Sequence, residues 1–139
     1  MLASVANLVK FVQVEYKKID IDDLTVLKDI VSDSFVFTDD EKLLEYSHDE
    51  TEDLTFPPEV VVKPSNTQEI SRIIKYCNDK RITVTPCGAR TGLSGGSLPI
   101  FGGVALSLER LNSIIEIDER NLQAKVEPGV INQVFRNVV

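Results

Sequence analysis

Histidine is almost missing from this chain: His48 is the only one in 139 residues. The only metal candidate left is therefore His48 with the carboxylates of the acidic run from Ser47 to Asp53. Consecutive loop residues rarely converge on one ion, so no metal is expected and His48 reads as solvated surface. Cysteine is scarce too. Cys77 and Cys87 are the only two and form no Cys-x-x-Cys pair, so a reduced, cytoplasmic setting is expected. Basic charge is in deficit, with 15 Lys and Arg against 22 Asp and Glu and a net charge of −7. Without a basic stripe to release phosphate counterions, nucleic acid is excluded as a partner. No apolar run approaches the roughly 20 residues that span a bilayer, so no transmembrane segment is expected. Met1-Leu2-Ala3-Ser4-Val5 also lacks the basic-then-apolar order of a signal peptide.

What is present is ordinary globular material, 42% hydrophobic and 27% charged, enough for one domain or a piece of a larger one. Val5, Leu8, Val9, Val12 and Tyr16 follow helical spacing and predict an amphipathic helix over 4–19. Asp22 or Asp23 predicts the cap of a second helix, with Leu24, Leu27, Ile30 and Val31 inward. Asp39 and Asp40 precede a short third helix through Tyr46. Residues 47–55 are polar and acidic and read as a connecting loop. The texture changes at Phe56-Pro57-Pro58. Glu59–Pro64 reads as a strand, and Ser65 or Asn66 caps a helix to about Asn78 with Ile70, Ile73, Ile74 and Cys77 inward. Strands are then expected over 82–85, 104–108, 114–117 and 122–126, with Asp118–Asn121 as a solvated turn. A last helix begins near Val130, and its apolar face of Ile131, Val134, Phe135 and Val138 lacks an obvious cover. The chain is accordingly expected to be the N-terminal part of a longer protein.

Between the second and third of the strands from Glu59 onward lies Pro86-Cys87-Gly88-Ala89-Arg90-Thr91-Gly92-Leu93-Ser94-Gly95-Gly96-Ser97. Glycines let several N–H groups face one point, and such a nest suits an anion such as phosphate. Thr91, Ser94 and Ser97 offer hydroxyl donors beside it. A P-loop needs a lysine followed by serine or threonine after its last glycine, and Gly96-Ser97-Leu98 has none. A Rossmann fingerprint needs Gly-x-Gly-x-x-Gly opening a helix. Here Arg90 stands at the second glycine, and Pro99 and Gly102-Gly103 follow. The loop joins strand to strand.

From Pro57 onward the chain resembles the vanillyl-alcohol oxidase and p-cresol methylhydroxylase superfamily of FAD-linked enzymes. Within it, the chain is most similar to the group that holds D-lactate dehydrogenases and the FAD-linked subunit of glycolate oxidase. The residues that carry the resemblance are Pro58–Pro64, Pro86 with Gly88, Thr91–Gly96, Gly102-Gly103-Val104, and Asn121 with Val126–Val130. Tyr46-Ser47-His48-Asp49 also fits a Tyr-x-x-Asp pattern of the glycolate oxidase relatives.

The resemblance implies an α+β fold: N-terminal helices over 1–55, then the first lobe of a PCMH-type FAD-binding domain over 56–139, with a small mixed sheet and a crossover helix. It implies non-covalent FAD, since the loop holds no histidine for attachment. Gly88, Ala89, Arg90, Thr91, Gly92, Leu93, Ser94, Gly95 and Gly96, with Pro86 at their head, would line the pyrophosphate. The Val60-Val61-Val62 strand and the turn of Pro128, Gly129 and Val130 would flank the flavin or adenine. Gly102-Gly103 reads as ordinary turn chemistry.

Two positions depart from the pattern, where many relatives carry arginine at 87 and glycine at 90. If residue 90 needs positive φ, Arg90 costs roughly 1 kcal/mol or more and crowds the phosphate. Alternatively its guanidinium makes charge-assisted hydrogen bonds to the pyrophosphate. Cys87 reads as a partly buried structural thiol.

The function implied is oxidation of a small D-2-hydroxy acid such as glycolate or D-lactate. The family's catalytic groups lie in a later substrate domain, so no catalytic residue is assigned here. The chain alone is expected to be inactive and to bind FAD much more weakly than when joined to a second lobe. Two alternatives remain open: a cofactor-less interaction module of the same fold, and a flavin lobe like that of UDP-N-acetylenolpyruvoylglucosamine reductases.

Overall fold

The computed structural model describes residues 15–51 and 53–138. Most of the expected helix over 4–19 lies outside the described residues. Its end, residues 15–19, is not helical, because other elements take its backbone groups. Lys17 N donates to Arg81 O at 3.0 Å, and Ile19 N donates to the Glu59 carboxylate at 2.7 Å.

Helix α1 spans Ile21–Val31 and is capped by Asp20, not by Asp22 or Asp23. Asp23 is instead the returning half of a capping box: each of the two aspartates accepts the other's backbone N–H, at 2.9 and 3.0 Å. Leu27, Ile30 and Val31 face the core as expected, with Leu24 half-buried. A 3₁₀ turn at Asp33–Phe35 leads into β1, Val36–Phe37, a strand too short for its pattern to be visible in the sequence. Helix α2 spans Asp40–Glu45 with Asp39 as its cap.

Strand β2 is Val60–Val62, and helix α3 is Thr67–Lys80, capped by Asn66. Ile73 and Cys77 are fully buried, but Ile74, expected inward, is 48% exposed. The buried stripe runs along 70, 73 and 77, and Ile74 turns about 100° away from Ile73. Arg81 closes the helix in the left-handed region, and Ile82 N donates back to Cys77 O at 2.8 Å. The next strand, β3, therefore begins at Val84 and runs to Cys87, two residues later than the apolar run suggests.

Strand β4 is Val104–Ser107. The four strands form one mixed sheet in the order β1-β2-β4-β3, with β1 antiparallel to β2, and β4 parallel to both β2 and β3. Helix α3 crosses from β2 to the far edge. That edge position tolerates Pro86, which has no N–H to give a ladder. Val60, Val62, Val104 and Leu106 pack beneath α1 and α3; Val61, Ala105 and Cys87 face the other way, against Tyr46. The central strands are thus buried on both faces, which is why they read as unbroken apolar runs. A hairpin of β5, Ile114–Asp118, and β6, Gln123–Val126, is followed by a short α4, Asn132–Arg136. This is the expected α+β class.

Candidate functional site

The glycine loop leaves β3 at Cys87 and returns to β4 through residues 88–103. No backbone N–H from Gly88 through Ser94 has an acceptor among the described residues. Folded proteins pair nearly all such groups when they are buried, so an unpaired row at the surface is a ready set of donors. Beside it opens a cleft of about 410 Å³, lined by Gly88, Ala89, Arg90, Glu109, Asn112, Pro128, Gly129, Val130, Ile131 and Val134. The structure thus brings Gly88, Ala89 and Arg90 against Pro128, Gly129 and Val130, six of the expected residues. Thr91 to Ser94 form an exposed arm beyond the cleft, and Leu93 at its tip is 76% exposed. Gly95 and Gly96 close the arm, and Pro86 stays on the sheet edge, outside the cleft.

The arm is tied down by residues 49–51, in the stretch expected to be only a connecting loop. Glu50 N donates to Gly92 O at 3.1 Å, and Gly95 N donates to Thr51 Oγ1 at 2.8 Å. The buried Asp49 carboxylate accepts Thr51 N at 2.9 Å and Ser97 Oγ at 3.3 Å. These donors hold Asp49 below the usual carboxylate range, with Thr51 the largest influence. The one signal for it in the sequence is the Tyr46-x-x-Asp49 spacing. His48 between them is exposed, as expected.

Arg90 adopts φ of 57°, the left-handed conformation that costs a non-glycine residue roughly 1 kcal/mol or more. Its guanidinium neither hangs over the loop nor is free. It donates to Glu45 Oε1 at 3.0 Å, and its Cζ lies 4.0 Å from the centre of the Tyr46 ring. Tyr46 is fully buried, and its hydroxyl lies 2.9 Å from Ser107 Oγ and 3.0 Å from Glu109 Oε2. With one proton, it donates to the carboxylate and accepts from the serine. Lys63 Nζ holds the other Glu109 oxygen at 2.6 Å. Burial pushes the Glu109 carboxyl up, but Lys63 and Tyr46 together bring it below its ordinary value, so it stays ionised. Cys87 is fully buried, its thiol directed at the Thr85 and Ser97 carbonyls at 3.5 and 3.7 Å, and burial pushes it up to about 11. It is structural, as expected.

Gly129 serves close packing: its N–H donates to Leu111 O at 2.7 Å, and a Cβ there would overlap the Leu108 and Leu111 carbonyls. Gly102 and Gly103 both take positive φ, as turn chemistry requires.

A family model described as FAD binding domain matches residues 58–139. The chain belongs to this FAD-binding domain family. Among its relatives, glycolate oxidase subunit GlcD of Bacillus subtilis is 47% identical over 88 residues, covering 63% of this chain and 19% of that protein. D-lactate dehydrogenase of Anaerostipes hadrus is 46% identical over 74 residues, covering 53% of this chain and 16% of that protein. The chain therefore spans a fifth or less of the length of these curated relatives. In structure it matches p-cresol methylhydroxylase with a TM-score of 0.72 at 24% identity, over 83% of this chain and 23% of that one. That likeness shows the PCMH-type fold.

FAD is the cofactor of this family, and the residues present fit it. Backbone donors beside an open cleft suit a diphosphate, and the chain offers Gly88, Ala89 and Arg90 on the Gly88–Val130 cleft with further N–H groups without an acceptor among the described residues on the arm next to it. Among the described residues, no cluster of His, Cys, Asp and Glu could hold a metal ion, and no helix is long and apolar enough to cross a membrane.

Proposed function

We infer that this chain is the diphosphate-cradling first lobe, residues 56–139, of an FAD-dependent oxidoreductase acting on small D-2-hydroxy acids of the glycolate or D-lactate type. The observation that carries the reading is the row of N–H groups without an acceptor among the described residues, with Gly88, Ala89 and Arg90 on the cleft and Thr91 to Ser94 on the arm beyond it. Backbone donors of this kind bind a diphosphate without side-chain charge. The names of the two relatives above support the substrate class.

Bound FAD supplies a two-electron acceptor for a carbon–hydrogen bond. The chain's own residues bind and orient it. Gly88, Ala89, Arg90, Thr91, Gly92, Leu93 and Ser94 donate backbone N–H groups, and Gly95 and Gly96 turn the arm back toward Thr51. Pro128, Gly129 and Val130 form the apolar lip for a ring, and Pro86 fixes where the loop leaves the sheet. Glu109 keeps a carboxylate in the cleft lining, which favours neutral ring atoms beside it over phosphate oxygens. The cradle consists of backbone amides and apolar side chains, and the Glu109 carboxylate is already engaged by Lys63 and Tyr46, so the groups acting on the hydroxy acid are assigned to parts of the relatives that this chain does not cover. The isolated chain is accordingly expected to be inactive and to bind FAD weakly, the cradle being one-sided. Two buried, free thiols, Cys77 and Cys87, fit a reducing cytoplasmic setting.

The test is an FAD titration of this chain followed through its backbone amide NMR signals. Shifts concentrated at Gly88–Gly96 and Gly129 are expected; an unchanged spectrum at millimolar FAD would sink the reading. For the substrate class, a longer protein that carries this chain together with the parts of its relatives it does not cover is loaded with FAD and mixed anaerobically with D- and L-lactate. Bleaching by the D-acid alone is expected.

A further inference from the structure

Among the described residues lining the cleft, Arg90 is the one cation, yet its charged end is held by Glu45 of α2. We propose that Arg90 is a positioning residue, a latch whose grip on Glu45 and Tyr46 keeps the loop in the left-handed turn that presents the Gly88–Ser94 N–H row. The diphosphate in this proposal rests on the FAD reading above, but the latch is a property of the chain without ligand.

Three observations carry it. First, the Arg90 side chain is only 19% exposed, and it is closed between the Glu45 carboxylate and the Tyr46 ring face. A guanidinium over an aromatic face with a carboxylate at its edge uses both its cation–π and hydrogen-bonding capacity. Second, both partners are themselves fixed. The second Glu45 oxygen is held by Lys42 Nζ at 2.5 Å, and the Tyr46 hydroxyl is fixed between Ser107 and Glu109. Glu109 also lines the cleft, so one buried tyrosine contacts two of its charged lining residues. Third, residue 90 sits at φ of 57°, a conformation that arginine leaves unless surrounding contacts hold it. To reach a bound diphosphate directly, the guanidinium would have to abandon Glu45 and the Tyr46 face together. The geometry assigns the anion to the backbone and the arginine to the backbone's shape.

Trypsin reads the latch directly, because it must extract the Arg90 side chain to cut the Arg90–Thr91 bond. The experiment compares cutting after Arg90 with cutting after Arg120, which is exposed in the β5–β6 turn, on wild type and Glu45→Gln by mass spectrometry. Loss of one partly exposed ion pair should raise the Arg90 to Arg120 cutting ratio about threefold or more. An unchanged ratio overturns the latch. The second readout is the dissociation constant for ADP and for riboflavin, the diphosphate and flavin halves of FAD, on the same two proteins. A positioning role weakens ADP about threefold in Glu45→Gln and leaves riboflavin unmoved. Tighter ADP binding in the variant would mean that the freed guanidinium contacts phosphate, which overturns the proposal; equal weakening of both probes would reduce it to general destabilisation and overturn it too. If ADP binds neither protein, the diphosphate-cradle reading fails, and the cutting ratio alone decides the latch.

Discussion

The Thr83 carbonyl lies so close beneath Gly103 that a Cβ on residue 103 would overlap it. Thr83 O accepts Val104 N at 2.8 Å, Thr83 Oγ1 donates to Gly102 O at 3.0 Å, and Gly103 O accepts Glu59 N at 2.8 Å. The joint where the glycine loop re-enters the sheet is thus stitched to β2 and β3 at once, with Gly103 at φ of 69°. Gly103→Ala should destabilise the chain by about 2–4 kcal/mol through strain and overlap together. Gly96→Ala, with negative φ and no neighbour within 4 Å of its Cβ position, should stay within about 0.5 kcal/mol of wild type. Urea unfolding midpoints compare them; equal values for the two variants would refute the assignment.

Asp23 is the buried carboxylate of α1. It accepts from Lys17 Nζ, from Asp20 N at 3.0 Å and from Tyr76 Oη at 2.7 Å. Burial pushes its carboxyl up, but these three donors outweigh burial and leave it below its ordinary value. Asp20, mainly through Lys17, is held at about 2. Both groups are depressed in the folded state, so their stabilisation is present above the unfolded value near 3.9 and is lost as pH falls below it, for Asp20 through about 2. Asp23→Asn should lower stability at pH 7 by about 1–2 kcal/mol and flatten this acid limb. Urea midpoints measured at pH 7 and pH 3 check both parts, and an acid limb as steep as wild type would contradict the role given to Asp23.

Elements whose hydrogen bonds close locally were legible in the sequence. Helix α3 shows its Asn66 cap and its 70-73-77 stripe, and the glycine loop shows its composition. What remained hidden was set by bonds to distant partners. Residues 15–19 carry a helical pattern, yet Arg81 and Glu59 take their N–H groups. Asp20 and Asp23 form a symmetrical Asp-x-x-Asp, so which of them starts the helix depends on the chain's entry path. Strand β3 slipped by two residues because Ile82 is used to finish α3. At the site, the loop was readable but its anchors were not. Asp49 and Thr51 sit in an acidic stretch whose composition is that of solvated coil, and Arg90 looked like either an intruder or a phosphate ligand. Only the fold brings Glu45 and Tyr46 behind it.

Thr51 supplies the acceptor that turns the loop arm back, taking Gly95 N–H at 2.8 Å. Thr51→Val keeps the shape and removes the oxygen. The expected cost is about 1 kcal/mol of local stability. It should show as faster hydrogen exchange at Gly95 and at Glu50, whose N–H bonds to Gly92 O across the same clasp. Amides of the Val60–Val62 strand should keep their wild-type exchange rates, because the clasp lies outside the core. Uniformly faster exchange across the sheet would show instead that Thr51 supports the whole fold.

Cys87 lies one residue before the loop, and Cys77 lies on the buried stripe of α3; neither has any exposed surface. Burial pushes both thiols up to about 11, and at Cys87 the nearby Arg90 charge opposes this without reversing it. Thiolate is the reactive form, so at pH 8 each site holds little of it and offers no approach path to a reagent. A disulfide reagent added to the folded chain should therefore react with neither thiol on the minute scale, and with both once urea unfolds it. Partial labelling confined to Cys87 in the native protein would mean that the loop opens as a unit around Ser97, whose carbonyl receives the Cys87 thiol at 3.7 Å. The same experiment on Glu45→Gln separates the two levels of structure. If the latch governs only the turn at residue 90, Cys87 stays unreactive in that variant, because neither its packing on Val61, Ala105 and Tyr46 nor its contact with the Ser97 carbonyl runs through Glu45.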